Sequence, residues 1–202
     1  YTGYNRDYPK QGRASQVLML ATSKDLIHWN KTDEKLVVPQ VGYDPLEWRD
    51  PYVFFNDDAQ EYVMILGGRK LDGKKIRVGR TVYFTSKDLK QWDFKGDFWA
   101  PDLFYMHEMP DIFKIGDYWY LLTTEYSDKC KTIYRMSKSL TGPWIAPVDD
   151  AFDGRAYYAA RSFSDGRRRY LLGWVPTKEN DDDLQNWQWG GTLVVHEVHQ
   201  RA

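Results

Sequence analysis

The sequence has a single cysteine, a nearly even charge balance and no positive surplus. Cys130 has no partner for an internal disulfide, and one cysteine cannot build a cysteine metal cluster. The 28 Lys and Arg residues stand against 29 Asp and Glu, for a formal net charge of -1. Binding to a phosphate backbone needs a clustered excess of positive charge. We therefore predict no nucleic-acid partner.

Long apolar runs and helical patterns are also missing. No run approaches the roughly 18 apolar residues of a membrane span, and the N-terminus lacks the basic-then-apolar order of a signal peptide. We expect a soluble domain without a membrane partner, and the choice between a cytoplasmic and a secreted protein stays open. Apolar residues nowhere follow the i, i+3, i+4, i+7 spacing of a helix over about 12 residues. The sequence therefore predicts an all-β chain.

Aromatic residues make up 16 % of the chain. Aromatic rings stack on sugars and also fill β cores, so their number alone does not separate the two uses. The candidates for sugar-stacking walls are Trp48, Trp99, Trp187 and Trp189. The tryptophans assigned to packing between strands are Trp29, Trp92 and Trp144. Tyr157 and Tyr158 suit a core and the rim of a site equally.

A short segment recurs along the chain. Residues 23–29 (SKDLIHW) return as residues 86–92 (SKDLKQW), and residues 137–144 form a looser copy. Each copy follows a short apolar run. We interpret the segment as a strand that ends in a Ser-Lys-Asp turn, after which Leu and Trp pack back against the neighbouring sheet.

A strand–turn–strand unit recurs between these copies, in residues 51–66, 111–122 and 156–174. Gly116-Asp117 and Asp165-Gly166 suit two-residue hairpin turns. A repeat of about 50 to 60 residues with three or four short strands has the size of a propeller blade. We predict three to four blades of an incomplete propeller, whose open edges should tend to form homo-oligomers.

The repeats place two acidic residues at the same position in successive units, just before the first strand. Asp50 precedes Pro51, and Glu108 lies two residues before Pro110. The starts of the inner strands of a propeller gather at one mouth of its axis. Cleavage of a glycosidic bond needs one protonated carboxyl and others that are ionised. We predict that Asp50 and Glu108 are catalytic, against the alternative that each is an ordinary turn or cap residue.

No metal or cofactor is predicted. His107-Glu108 and the HEVH of residues 196–199 both lack the histidine spacing of a zinc protease. The acidic run of residues 180–183 could donate oxygens to calcium, but such a run is more often a solvated loop.

Several of these segments resemble glycoside hydrolase family 32, the β-fructofuranosidases that include invertases, levanases and inulinases. WRDPYVF (residues 48–54) resembles the Arg-Asp-Pro motif of that family, and HEMPDIF (residues 107–113) is similar to its Glu-Cys-Pro-Asp motif. The opening YTGY, the strands of residues 156–175 and WGGTLVV (residues 189–195) resemble further family segments in the same order.

The resemblance implies a five-bladed propeller that hydrolyses terminal β-fructofuranosyl linkages, of the sucrose, inulin or levan type, with retention. Asp50 would stabilise the transition state and Glu108 would be the general acid/base. Arg49 would orient these carboxylates and the sugar hydroxyls, while His107 and Asp111 would tune Glu108. The predicted substrate-binding residues are Arg49, Trp48, His107, Asp111, Tyr158 and Trp189.

The sequence departs from the family in three places. Nothing matches its Asn-Asp-Pro segment, which carries the nucleophilic Asp, Met109 replaces its Cys, and HEVH replaces its Pro-Arg-Glu segment. We therefore expect residues 1–202 to be part of a catalytic propeller, with the nucleophile upstream and a remainder downstream, and to be inactive alone. Residues 99–102 (WAPD) also resemble family 43, so an inverting arabinanase or xylosidase is one alternative. A carbohydrate-binding propeller without turnover is another.

Overall fold

The computed structural model describes residues 1–201, and its regular structure is almost entirely strand. Within residues 1–201, two short 3-10 helices interrupt the strands, at Tyr8–Gln11 and Glu179–Asp181. The strands are β1 (Thr2–Tyr4), β2 (Gln16–Thr22), β3 (Asn30–Val37), β4 (Tyr43–Asn56), β5 (Glu61–Lys70), β6 (Gly79–Ser86), β7 (Asp93–Trp99), β8 (Glu108–Ile115), β9 (Tyr118–Glu125), β10 (Lys131–Ser137), β11 (Tyr158–Ser164), β12 (Arg169–Lys178) and β13 (Trp187–Val198). The all-β prediction is confirmed.

The strands form four separate sheets. In each sheet, neighbours along the chain are neighbours in space, with the orders β1-β2-β3, β4-β5-β6-β7, β8-β9-β10 and β11-β12-β13. Strands joined by short turns pair in this way because a tight turn returns the chain beside itself, antiparallel. Each sheet has three or four strands, which is the number predicted for one repeat.

Residues 1–110 form one compact unit, which contains the first two sheets and the start of β8. Its core is built from alternate residues of its strands, since successive side chains of a strand point to opposite faces. Trp48 lies at the centre, edge-on to Tyr43 and Phe84 at centroid distances of 5.4 and 6.1 Å. The buried cluster comprises Leu18, Val37, Tyr43, Trp48, Met64, Leu66, Val82 and Phe84.

The described residues from Asp111 onward form the second compact unit, with the last two sheets. Its core cluster consists of Phe113, Tyr120, Leu122 and Leu171. Phe113 and Tyr120 stack at 5.4 Å across the β8–β9 hairpin. The turn of this hairpin is Gly116-Asp117, with Gly116 at φ 56°, which confirms the predicted two-residue turn.

The other predicted two-residue turn is wrong. Residues 165–168 form a four-residue loop between β11 and β12. Asp165 organises this loop through its carboxylate, which accepts the backbone N–H groups of Arg167 at 2.8 Å and Arg168 at 2.7 Å. An aspartate that bonds the backbone two residues on stabilises such a turn by itself.

The two Ser-Lys-Asp segments fold into the same turn. The Ser23 hydroxyl accepts the N–H of Leu26 at 2.8 Å, and the Ser86 hydroxyl accepts that of Leu89 at 2.9 Å. Both leucines have a left-handed backbone, at φ 62° and 64°. The predicted turn is confirmed. The predicted inward packing is wrong for Leu26, which is 78 % exposed, whereas Trp92 of the second copy does pack against the first core.

A left-handed residue also interrupts the first strand of three sheets. It is Asp50 in β4 (φ 62°), Met109 in β8 (φ 48°) and Ala159 in β11 (φ 53°). In β4 and in β11, the pairing register with the neighbouring strand shifts next to this residue. These residues therefore mark equivalent positions. Asp50 corresponds to Met109, and Glu108 corresponds to Arg49, which corrects the prediction that the two acids occupy the same place just before a strand.

Candidate active site

Arg49 is the centre of a charged cluster in the first unit. Its guanidinium donates to Glu108 Oε1 through Nη2 at 2.6 Å and Nε at 3.2 Å. Its Nη1 donates to Glu47 and, at 3.3 Å, to the side-chain oxygen of Gln16. Arg49, Glu47 and Glu108 each expose 17 % of the side chain, so the cluster is partly shielded from water. One cation thus holds two carboxylates in fixed positions.

Asp50 lies beside this cluster. Its Oδ2 is 3.7 Å from Arg49 Nε, the same nitrogen that donates to Glu108, so the two carboxyl groups lie well within roughly 10 Å of each other. Asp50 Oδ2 also accepts the N–H of Met109 at 3.1 Å, and the Asp50 N–H donates to Thr2 Oγ1 at 3.1 Å. These bonds hold a left-handed aspartate in place, and strained backbone of this kind is frequent at functional sites.

Burial and pairing act in opposite directions on Arg49. Burial by itself would lower the pKa of the guanidinium, but the charge and hydrogen bonds of Glu108, followed by those of Glu47, outweigh it and raise the pKa. The cation therefore stays charged at every pH the protein meets.

Glycines bring Glu108 to Arg49. Gly67 pairs with Arg49 across β4 and β5, and a Cβ on Gly67 would meet the carbonyl oxygen of His107 at 2.1 Å. Gly79 approaches Met106 in the same way, and its N–H donates to the Phe104 carbonyl at 2.9 Å. The segment that ends at Glu108 lies directly on the sheet because these two positions have no side chain.

An open cavity of about 730 Å³ adjoins the cluster. Its volume lies within the range of small-molecule sites. The lining residues are Tyr4, Arg6, Pro9, Ser15, Gln16, Leu46, Glu47, Arg49 and Glu108. Of these, Tyr4 is exposed and presents a ring on which a sugar can stack. Asp50 is not part of this wall. A larger cavity of about 1240 Å³ in the second unit has neither Asp50 nor Glu108 in its wall.

Sequence reasoning missed Glu47, Gln16, Tyr4 and Arg6. A signal for Glu47 was present, because it lies two residues before Arg49 in one strand and so shares its face. The same alternation explains an error. Trp48 lies between them, faces the opposite side and is fully buried in the core, so the expectation that its ring stacks on a sugar is wrong.

His107 is also completely buried. Its Nδ1 lies 3.1 Å from Thr81 Oγ1, and its ring packs against Trp99 at 4.7 Å. Burial corrects the prediction of direct substrate contact, since the imidazole faces the interior. Its contacts anchor the segment that carries Glu108.

Asp111, Tyr158 and Trp189 belong to the second unit. Asp111 is fully buried and accepts the Ser162 N–H at 2.6 Å and the Ser162 hydroxyl at 3.2 Å, so direct contact with a substrate is corrected for this residue as well. Tyr158 is buried against Trp174 and Trp189, at centroid distances of 5.6 and 4.9 Å. Trp189 is 47 % exposed and stays a predicted sugar contact.

Two further properties concern residues 1–201. No group of three or more His, Cys, Asp and Glu side chains in this range is arranged to hold a metal ion. No helix in the same range has the length and apolar character that crossing a membrane requires.

Comparison with known families identifies the chain. The family model described as the N-terminal domain of glycosyl hydrolases family 32 matches residues 1–198. The chain belongs to glycosyl hydrolase family 32. This family carries the Arg-Asp-Pro and Glu-Cys-Pro-Asp motifs that residues 49–51 and 108–111 resemble, so the motif-based prediction is confirmed and family 43 is set aside.

Individual family members agree with this assignment. Sucrose-6-phosphate hydrolase of Zymomonas mobilis is 30 % identical over an alignment of 222 positions, gaps included. The alignment covers 96 % of this chain and 41 % of that protein. Levanase of Bacillus subtilis is 25 % identical over 96 % of this chain and 31 % of its own length. The chain thus spans less than half the length of these relatives.

The fold of the chain also resembles that of solved family members. The solved structure of sucrose-6-phosphate hydrolase from Lactobacillus gasseri superposes with a TM-score of 0.71, at 21 % identity, over 92 % of this chain and 41 % of that one. The predicted propeller-type fold is confirmed, with four of its sheets within the described residues.

Proposed function

We propose that the protein containing this chain is a glycoside hydrolase that cleaves terminal β-fructofuranosyl linkages with retention. The observation that carries the proposal is the Arg49 cluster, in which one guanidinium contacts Glu108 in the wall of the cavity and lies beside Asp50, just outside that wall. Family membership supports the same chemistry. The relatives named above include enzymes for a phosphorylated and for a neutral fructoside, and the proposal covers both kinds.

Glu108 is the general acid/base in this proposal. In the first step it gives its proton to the glycosidic oxygen while a carboxylate nucleophile forms a bond to the anomeric carbon, and the leaving alcohol departs. In the second step Glu108 takes a proton from water, whose oxygen displaces the nucleophile from the same carbon. Two inversions give net retention. We assign the nucleophile to a part of the protein outside these 202 residues, since none of them matches the family segment that carries it.

Asp50 and Arg49 have electrostatic roles in this proposal. The ionised Asp50 carboxylate accepts hydrogen bonds from ring hydroxyls and stabilises the positive charge that develops on the fructosyl ring. Both hydrogen bonds from Arg49 reach Oε1 of Glu108. We therefore assign Oε2 as the oxygen that gives its proton to the glycosidic oxygen.

Substitution of Glu108 by Gln tests the proposal in the full-length protein. Loss of a general acid is expected to lower kcat on sucrose, inulin and levan by roughly 10²- to 10⁴-fold. A fructoside with a good leaving group needs less protonation, so its loss in rate should be clearly smaller. Initial rates of sugar release measure both.

Glu34→Gln is the matched control, because Glu34 is an exposed residue of β3 outside the cavity wall. It should retain the wild-type rates. Unchanged turnover in Glu108→Gln would remove Glu108 from the mechanism, and binding of fructosides without turnover by the wild-type protein would favour a carbohydrate-binding propeller.

A further inference from the structure

Arg6 and Arg49 are the two cationic side chains in the wall of the cavity beside Glu108. They differ in their partners. Arg49 is occupied by Glu108, Glu47 and Gln16. Arg6 is exposed and, within residues 1–201, makes no hydrogen bond or ion pair. Its guanidinium is therefore available to a ligand.

The chain holds the backbone on both sides of Arg6. The N–H of Asn5 donates to the Ser15 carbonyl at 2.9 Å, and the N–H of Ser15 donates to the carbonyl of Pro45 at the start of β4. The N–H of Asp7 donates to the side chain of Asn5 at 2.9 Å. The loop is thus fixed to the strand that carries Glu47 and Arg49, and Arg6 extends from an ordered segment.

Neighbouring charges leave Arg6 as the available cation of this loop. Asp7 pairs with Lys10 at 2.9 Å, and Arg13 lies over the ring of Tyr8 at 3.7 Å and donates to Gln11. The other side of the cavity is acidic, because Arg49 faces two carboxylates. An anionic ligand would be repelled by Glu47 and Glu108 unless a further cation met its charge.

We propose that Arg6 binds a phosphate ester on the substrate, so that the cavity selects a phosphorylated disaccharide fructoside over a neutral one. The inference rests on the function proposed above. A guanidinium presents parallel N–H donors that match two phosphate oxygens, and charge-assisted bonds of this kind are the strong ones. Arg6 is thus a specificity residue, whereas the bond-breaking step belongs to Glu108.

Steady-state kinetics on the full-length protein test the role of Arg6. In Arg6→Gln, kcat/KM for sucrose 6-phosphate should fall by about 10- to 100-fold, the range of a lost charge-assisted hydrogen bond. kcat/KM for sucrose should change by less than about threefold. Arg6→Lys should recover part of the loss, because it keeps the charge without the planar fork.

Arg13→Gln is the matched control, since it removes an arginine of the same loop that does not line the cavity. It should leave both substrates unchanged. A wild-type protein that prefers sucrose, or an equal loss on both substrates in Arg6→Gln, would overturn the role of Arg6 while leaving the hydrolase intact.

A binding measurement separates this inference from the proposed function. If the wild-type protein turns over no fructoside, the hydrolase proposal fails, and calorimetric titration with sucrose 6-phosphate and sucrose still decides the role of Arg6. Tighter binding of the phosphorylated sugar that is lost in Arg6→Gln supports the site. Equal binding of the two sugars by the wild-type protein contradicts it.

Discussion

At the scale of single residues, the contrast between Arg49 and Asp111 shows how partners decide the role of a buried charge. Arg49 is paired with two carboxylates, and its raised pKa keeps it charged. Asp111 is buried more completely, and Ser162 together with Arg161 and Arg169 compensates only in part, so burial raises the pKa of its carboxyl. The ionised form of Asp111 is therefore costly in the folded chain.

Substitution of Asp111 by Asn should change how stability depends on pH. An acid with a raised pKa in the folded state binds its proton more tightly folded than unfolded. Asp111 thus makes the free energy of unfolding fall as the pH rises from the ordinary value of 3.8 through the raised pKa. In Asp111→Asn this fall should be absent, as urea unfolding at a series of pH values can measure.

Asp117→Asn provides the comparison, because Asp117 is an exposed residue of the next turn. Its unfolding curves should follow those of the wild type across the same pH range. A wild-type slope that persists in Asp111→Asn would assign the pH dependence to another group.

At the scale of elements, two features of β4 and β5 build the site. Successive side chains of β4 alternate between the site and the core, and β5 has a glycine where the segment before Glu108 crosses it. Glu47 and Arg49 share one face of β4, while Trp48 enters the core from the other. On β5, Gly67 lets the backbone of His107 approach the sheet. The position of Glu108 thus depends on a glycine distant from it in the sequence.

Gly67→Ala should destabilise the first unit. The new Cβ would lie 2.1 Å from the His107 carbonyl oxygen, which is backbone and cannot rotate away. Overpacking of this kind costs about 1 to 3 kcal/mol. The shift of His107 should also weaken the contact between Arg49 and Glu108 and lower the activity of the full-length protein. Denaturant unfolding and sucrose hydrolysis measure the two effects.

Gly190→Ala is the matched control, since Gly190 is a strand glycine with nothing within 4 Å of an added Cβ. It should leave stability unchanged or slightly raised. Equal stability of the Gly67→Ala and Gly190→Ala proteins would show that the segment before Glu108 does not rest on the sheet.

At the scale of the whole molecule, β13 is an edge strand with an apolar exposed face. Leu193 and Val195 alternate along it and are 64 % and 53 % exposed. An edge strand with apolar side chains invites pairing with another chain. The predicted association of copies through open edges therefore stays a prediction, with β13 as the strand that carries it.

The isolated 202-residue chain should associate at micromolar concentration, as sedimentation velocity can measure. The double substitution Leu193→Lys with Val195→Lys adds positive charge to the edge and should shift the chain towards the monomer. Gln188→Lys, an exposed polar residue of the same strand, adds charge without removing apolar surface and should leave association largely unchanged. A monomeric wild-type chain would contradict the prediction.

Sequence patterns predicted the repeats well, because their causes are local. The Ser-Lys-Asp turns follow from side chains that bond to the backbone two or three residues away, so identical letters gave identical turns. The motifs around Asp50 and Glu108 likewise identified the family. The patterns failed where the outcome depends on contacts between segments far apart in the sequence. Trp48 is an example, because its side chain is buried or exposed according to which face of β4 packs against the core.

The sequence by itself determined an all-β chain of repeats, its family, and the two carboxylates that the family motifs single out. Only the tertiary structure decided which residues meet. It brought Gln16, Arg49 and Glu108 together from three separate segments, and it placed Arg6 in the wall of the same cavity. The physical reason is that strand alternation is a local rule, whereas the close approach over Gly67 depends on contacts between segments that no local pattern encodes.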